Sequence, residues 1–161
     1  MLVRNGRFAA DHNGPLVVFA IGMRINRFHK IGKWLPVMRA MGPMLRELHA
    51  DPQSGFFGHE FLLGGLRMPV VLQYWRDFDS LEAYARNRDR EHWPAWVAFN
   101  KAIGSDGTVG IFHETYAVPQ GGHETVYVNM PPWGLGKVAG VAPATGSRAE
   151  ARGRMTAESG G

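Results

Sequence analysis

The sequence predicts an α+β domain, a ferredoxin-like β-α-β-β-α-β arrangement of one antiparallel sheet. Two observations carry this: β-prone runs and helically spaced runs follow one another in that order, and the first and third β-prone runs are apolar on both faces. In the first, Val17, Phe19, Ile21 and Met23 alternate with Val18 and Ala20; in the third, Val71 stands between Val70 and Leu72. A sheet with helices on one face and a second apolar face needs a partner, so sheet-to-sheet homodimerisation is expected.

The elements follow in order. Residues 1 to 14 are mixed and polar, and the first expected strand is Leu16 to Ile25. After the basic link Arg27 to Lys33, Trp34, Met38, Met41, Leu45 and Leu48 recur at helical spacing, and Gly42-Pro43 predicts a bend or break. Phe56 to Leu63 and Pro69 to Trp75 read as a hairpin about Gly64-Gly65-Leu66-Arg67. Asp79 with Glu82 has capping-box spacing for a short helix, and a second helix starts near His92 with His92, Trp96, Phe99 and Ile103 on one face. Val109 to Val118 is the fourth strand, followed by an extended piece at Glu124 to Val128. A Pro/Gly-rich arm begins near Asn129; the domain is expected to end at 142, leaving a mobile tail over 143–161 because that stretch has little apolar content.

The chain has 161 residues, 45% of them hydrophobic, which suits one core and one domain. With no cysteine, disulfides, zinc-thiolate centres, iron–sulfur clusters and thiol nucleophiles are excluded. The charge of +4 is spread along the chain and diluted by acids at Asp89 and Glu91, so no nucleic-acid partner is expected. No run approaches the roughly 20 apolar residues of a spanning helix, and no apolar signal run opens the sequence. A cytoplasmic location without membrane attachment is the expectation. No two histidines have metal-ligand spacing, so no metal is expected.

A few polar residues stand inside apolar elements: Arg24 and Asn26, His59 and Glu60, Gln73, His113 and Glu114, with His92 at a helix start. Burying such a group unpaired costs on the order of 1–3 kcal/mol, so each needs a partner, water or a ligand. His113 and Glu114 are strand neighbours and face opposite ways; His113 is either solvent-exposed or a base in an apolar cavity. His92 is either a helix-start residue bonded to a loop or a contact to substrate or haem beside Trp96. His59-Glu60 reads as a cross-strand pairing. Trp34, Trp75, Trp93, Trp96 and Phe99 suit a plain core, while Trp75, Tyr74, Tyr116 and Tyr127 with their polar tips also suit a pocket for a flat, conjugated molecule.

The segments Phe19-Ala20-Ile21-Gly22-Met23-Arg24-Ile25-Asn26, Gln73-Tyr74-Trp75-Arg76, Leu81-Glu82-Ala83-Tyr84-Ala85, His92 with Trp96, Val109 to Tyr116, and Tyr127 to Gly136 resemble the fumagillin-pathway-type monooxygenase-like family. That family belongs to the antibiotic-biosynthesis-monooxygenase, or dimeric α/β-barrel, superfamily. The likeness covers about Leu16 to Gly140. It implies a dimer with face-to-face sheets and a pocket between sheet and helices, in which many members oxygenate aromatic or polyketide-like substrates without metal or flavin. Such a site needs a base, oxyanion donors and a dry cavity. On this reading His113 or His92 is the base, Arg24 and Asn26 are oxyanion donors, and Trp75, Trp96 and Tyr116 are walls; Glu114 is the next candidate if both histidines are structural. Haem-degrading relatives of the same fold use an Asn, a Trp and a helix His, which here are Asn26, Trp75 and His92, making haem the alternative cofactor. A third reading is a non-catalytic small-ligand-binding dimer.

Overall fold

The structure, a computed structural model, describes residues 2–87, 93, 94, 97, 101 and 106–156. The four expected strands are present as β2 (Leu16–Ile25), β3 (Phe56–Leu63), β4 (Pro69–Trp75) and β5 (Val109–Val118), hydrogen-bonded antiparallel in the order β3-β4-β2-β5. Read along these four alone, that is the ferredoxin-like order, with the first and third strands at the centre. Helix α1 (Ile31–Ala50) crosses between β2 and β3, and α2 (Phe78–Arg86) follows β4.

Two local expectations are corrected. Helix α1 continues from Ile31 to Ala50 with Pro36 and Pro43 inside it, so there is no break at Gly42-Pro43. Each proline removes one backbone donor, and the burial of Leu45 and Leu48 against the sheet holds the helix through the gap. The cap of α2 is Asp77 rather than Asp79: its carboxylate accepts from Ser80 N at 2.7 Å. The Arg76 guanidinium, bonded to Asp77 at 2.8 Å, and Ser80 together hold that carboxyl down at about 2. Trp93, Pro94, Val97 and Lys101 are helical, whereas His92, Trp96, Phe99 and Ile103 lie outside the described residues.

A second sheet was not expected. Strand β1 (Arg4–Ala10) lies between β6 (Tyr127–Met130) and β7 (Val141–Pro143), so the polar N-terminal stretch is a strand whose partners are more than 110 residues away. Only Ala9 of β1 is fully buried, which is why alternation is faint in its sequence.

The two faces of the main sheet are closed differently. Val17, Val71 and Trp75 pack against Leu45 and Leu48 of α1 and Leu81 of α2, while Met23, Ile25 and Val109 pack near Trp34 and Val37. On the outer face Leu16 and Tyr74 pack against helix α3 (Leu135–Ala139) of the Pro/Gly-rich arm. The arm is fastened by polar groups of the sheet: Gly134 N donates to Glu60 Oε1 at 3.1 Å, Gly136 N to the Tyr127 hydroxyl at 2.9 Å, and Lys137 Nζ bonds Glu60 Oε2 at 3.1 Å. Gly134 has φ +53°, and a Cβ there would lie 2.7 Å from the Tyr74 hydroxyl, so the turn requires glycine. Burial, with Tyr127 and Glu60 alongside, pushes the Tyr74 hydroxyl up to about 12. Glu114 and Tyr116 leave part of this face open; Tyr116 is 53% exposed.

The segment after 143, expected to be mobile, is structured as far as Thr156 in a 3₁₀ turn (Gly146–Ala149) and helix α4 (Ala151–Thr156). It is held by polar bonds rather than apolar burial, so its composition gave no sign. Ala144 N donates to Arg7 O at 2.9 Å, Arg148 pairs with Asp11 at 3.2 Å, and Arg154 bonds Glu124 and the Arg148 and Ala149 carbonyls. The Arg154 side chain is only 5% exposed. Arg154→Ala is therefore expected to lower unfolding free energy by about 2 kcal/mol, through lost charged hydrogen bonds. A urea titration giving an unchanged midpoint would show that the segment contributes nothing.

Candidate active site

Pairing fixes which side chains share a space. Across β2 and β5, Ile21 lies opposite His113 and Met23 opposite Ile111; across β2 and β4, Ile21 lies opposite Val71, which in turn faces Phe61 of β3. Residues directly opposite share a face, and this is the face toward α1. Val37, Met38, Ala40, Met41 and Met44 of α1 close the other wall, leaving a cavity of about 200 Å³. Among the described lining residues His113 is the polar side chain. Its ring lies 5.7 Å from that of Phe19, and the residue is exposed at the sheet edge. The arrangement offers one imidazole to a ligand otherwise surrounded by apolar atoms.

The other expected site residues go elsewhere. Trp75 is fully buried in the core, donating from Nε1 to Gln73 Oε1 at 2.9 Å, and does not line the cavity. Arg24 is exposed and donates to Asn26 Oδ1 at 3.2 Å, while Asn26 Nδ2 donates to Gly107 O at 3.1 Å. Glu114 and Tyr116 pair with each other at 2.5 Å on the outer face; Glu114 is exposed, not buried as its candidacy required. The Glu114 carboxylate raises the Tyr116 hydroxyl. The expected set is thus split by the sheet, with His113 on one side and Arg24, Glu114 and Tyr116 on the other. His92 and Trp96 lie outside the described residues.

Four methionines, Met23, Met38, Met41 and Met44, were missed as site residues. Met38 and Met41 stood out as a helical face, but periodicity does not distinguish a face that meets side chains from one that meets a cavity. His59 and Glu60 lie opposite Gln73 and Leu72 of β4 and on opposite faces of the sheet. Glu60 fastens the arm, and His59 points to the α1 side, where its Nδ1 meets His49 Nε2 at 3.2 Å beside Phe56 and Phe61. Among the described residues no three His, Cys, Asp or Glu are grouped to hold a metal ion, and no helix is long and apolar enough to cross a membrane.

A family model for monooxygenase af470-like proteins matches residues 16–135, the sheet, α1 and the start of the arm together. The chain belongs to that family. Monooxygenase af470 of Aspergillus fumigatus is 29% identical over 133 residues, covering 77% of this chain and 46% of the relative, so the chain spans about half the length of that relative. Among solved structures, an aldoxime dehydratase in complex with butyraldoxime superposes with a TM-score of 0.61 at 16% identity, over 80% of this chain and 38% of the other. A second aldoxime dehydratase gives 0.62 at 19% identity, over 87% and 43%. At these identities the two structures show a shared fold. Family membership sits with the ferredoxin-like α+β architecture read from the sequence and seen in β2–β5.

The histidine pair beside the cavity has a consequence for stability. Burial, then the nearby His49 and Lys137, lower the His59 imidazole from 6.5, against a smaller raising effect of Glu60. The unfolded chain therefore binds this proton more readily than the folded one. The contribution of His59 is complete above about pH 6.5 and is lost as pH falls through its lower folded value. Urea midpoints are expected to drop from pH 7.5 to 5.5, and less so in His59→Gln; equal drops in both proteins would remove His59 as the cause.

Proposed function

We propose that the chain is a cofactor-independent monooxygenase acting on a small conjugated, aromatic or polyketide-like substrate in the α1 cavity, with His113 as base. The observation that carries this is the placement of one imidazole, His113, on the wall of an otherwise apolar cavity in a member of a monooxygenase family. Ground-state oxygen is a triplet and reacts slowly with closed-shell molecules. Removal of a proton by His113 leaves an electron-rich anion that gives one electron to oxygen; recombination forms a C–O bond. Loss of water from the resulting peroxide converts CH₂ to C=O, so that substrate and O₂ become ketone and water. The imidazolium formed in the first step stands beside the developing peroxide anion and offsets its charge. Arg24 and Asn26 have no part in this, since both are engaged at the exposed end of β2.

The haem alternative is less well supported. It needs Asn26 and Trp75 in one pocket, yet Trp75 is paired with Val17 at one end of β2 and Asn26 follows Ile25 at the other. An absorption spectrum of fresh protein tests it directly, a Soret band favouring haem. For the base, His113→Ala is expected to lower oxygen uptake with a substrate by roughly 10²–10⁴ while affinity changes far less. Full turnover in that variant would remove His113 from the chemistry.

The homodimer belongs to the same proposal. The outer face keeps Tyr116 exposed, and Met130 and Trp133, exposed at its border beside Val18 and Tyr74, extend an apolar surface that a second sheet would cover. Sedimentation equilibrium at micromolar concentration should give twice the chain mass; a monomer would exclude this pairing.

A further inference from the structure

We infer that the α1 cavity selects an uncharged ligand of about single-ring or short-chain size bearing one hydroxyl or carbonyl, and that Met38 and Met41 set this selectivity. The inference rests on the cavity being the site proposed above, and it goes further in stating what the site takes. The wall is built from Ile21, Val71 and Ile111 on the sheet and Met38, Met41 and Met44 on the helix, with His113 as the hydrogen-bonding group among the described residues. A carboxylate or phosphate moved into such a wall loses its hydration and gains one hydrogen-bonding partner at most, which disfavours it against an uncharged ligand. Among the described residues no Lys or Arg lines the cavity, and three cations of the sheet ends and loops have partners of their own: Lys30 pairs with Asp106 at 3.2 Å, Arg67 lies 5.9 Å over the Phe28 ring, and Arg24 bonds Asn26.

Size and shape follow from the same wall. Apolar cavities of roughly 150 Å³ accept a benzene ring, and the space here is about 200 Å³. Methionine is unbranched and polarisable, so Met38, Met41 and Met44 adjust to rings or chains of differing outline. The cavity is accordingly strict about charge and tolerant of shape. One neutral polar atom on the ligand satisfies His113, and a hydrogen bond there fixes which end of the ligand faces the base.

The test is calorimetric binding under nitrogen at pH 7.5, using two matched pairs: p-cresol against p-toluate and 2-naphthol against 2-naphthoate. Each phenol is expected to bind at least about tenfold more tightly than its carboxylate. Met38 is 41% exposed, so Met38→Lys keeps the fold, with its amine reaching water or an anion at the cavity mouth; it should raise p-toluate affinity and abolish the discrimination. Met41→Trp should fill the space and weaken every probe. Carboxylates binding as tightly as phenols to the unaltered protein, or a Met38→Lys variant with unchanged discrimination, would overturn the inference. Failure of all four probes to bind would show that this cavity is not the ligand site. Because no oxygen is present, a charge preference found together with no oxygen uptake in air would sink the monooxygenase reading and leave the selectivity standing.

Discussion

β2 is hydrogen-bonded along both edges, and the rest of the molecule depends on that double pairing. Ile21 is held between Val71 and His113, and because side chains alternate along a strand this single registration commits His113 to the helix side and Glu114 to the opposite side. A slip of one residue would exchange them and empty the cavity of its imidazole. The register is fixed by contact as well as by pattern. The Phe112 ring lies over Gly22, where a Cβ would approach it to 2.5 Å, so the ring seats at a position with no side chain. The site is thus specified by a backbone interaction one residue away from it.

Closing the two faces calls on different physics. The α1 face is sealed by dispersion and apolar burial, with Trp75 at the bottom satisfying its indole N–H on Gln73. Part of the outer face is covered by a five-residue helix too short to be stable alone. Its first N–H groups are taken up by Glu60 and Tyr127, and Lys137 returns to Glu60 from the same turn. Glu60 therefore ties an edge strand of the sheet to the arm, and Tyr74 is buried beneath it. The segment Tyr127 to Lys137 holds together because Tyr127 accepts from Gly136 within it, while Gly134 and Lys137 both bond Glu60 on the sheet.

The main sheet was legible in the sequence because its signal is local: each of the four strands announces itself by β-prone composition, and their bounds coincide with the structure. β1 was not, since Arg4-Asn5-Gly6-Arg7 is exposed and its pairing with Tyr127–Met130 is encoded nowhere near it. The segment after 143 was misjudged for a related reason, as Arg154 is buried by ion pairing and carbonyl contacts that composition does not weigh. At the site, alternation correctly separated His113 from Glu114. It did not join Met38, Met41 and Met44 to His113, because which helix lies over which strand is decided by packing rather than by either pattern.

In the proposed reaction, the position of His113 also answers a chemical requirement that a deeper residue would fail. β5 is an edge strand of the main sheet, so His113 presents part of its ring to solvent while its neighbour Phe19 backs it from inside. A base that takes a proton from a ligand must return it to water before the next cycle, and an exposed tip supplies that route. Gln73, at the buried centre of the same face, is where a titratable group would be trapped; the chain places there an amide that never ionises and pairs it with Trp75. Neutral polarity at the centre and ionisable polarity at the edge is the distribution expected where apolar packing must hold the fold and a proton must still come and go.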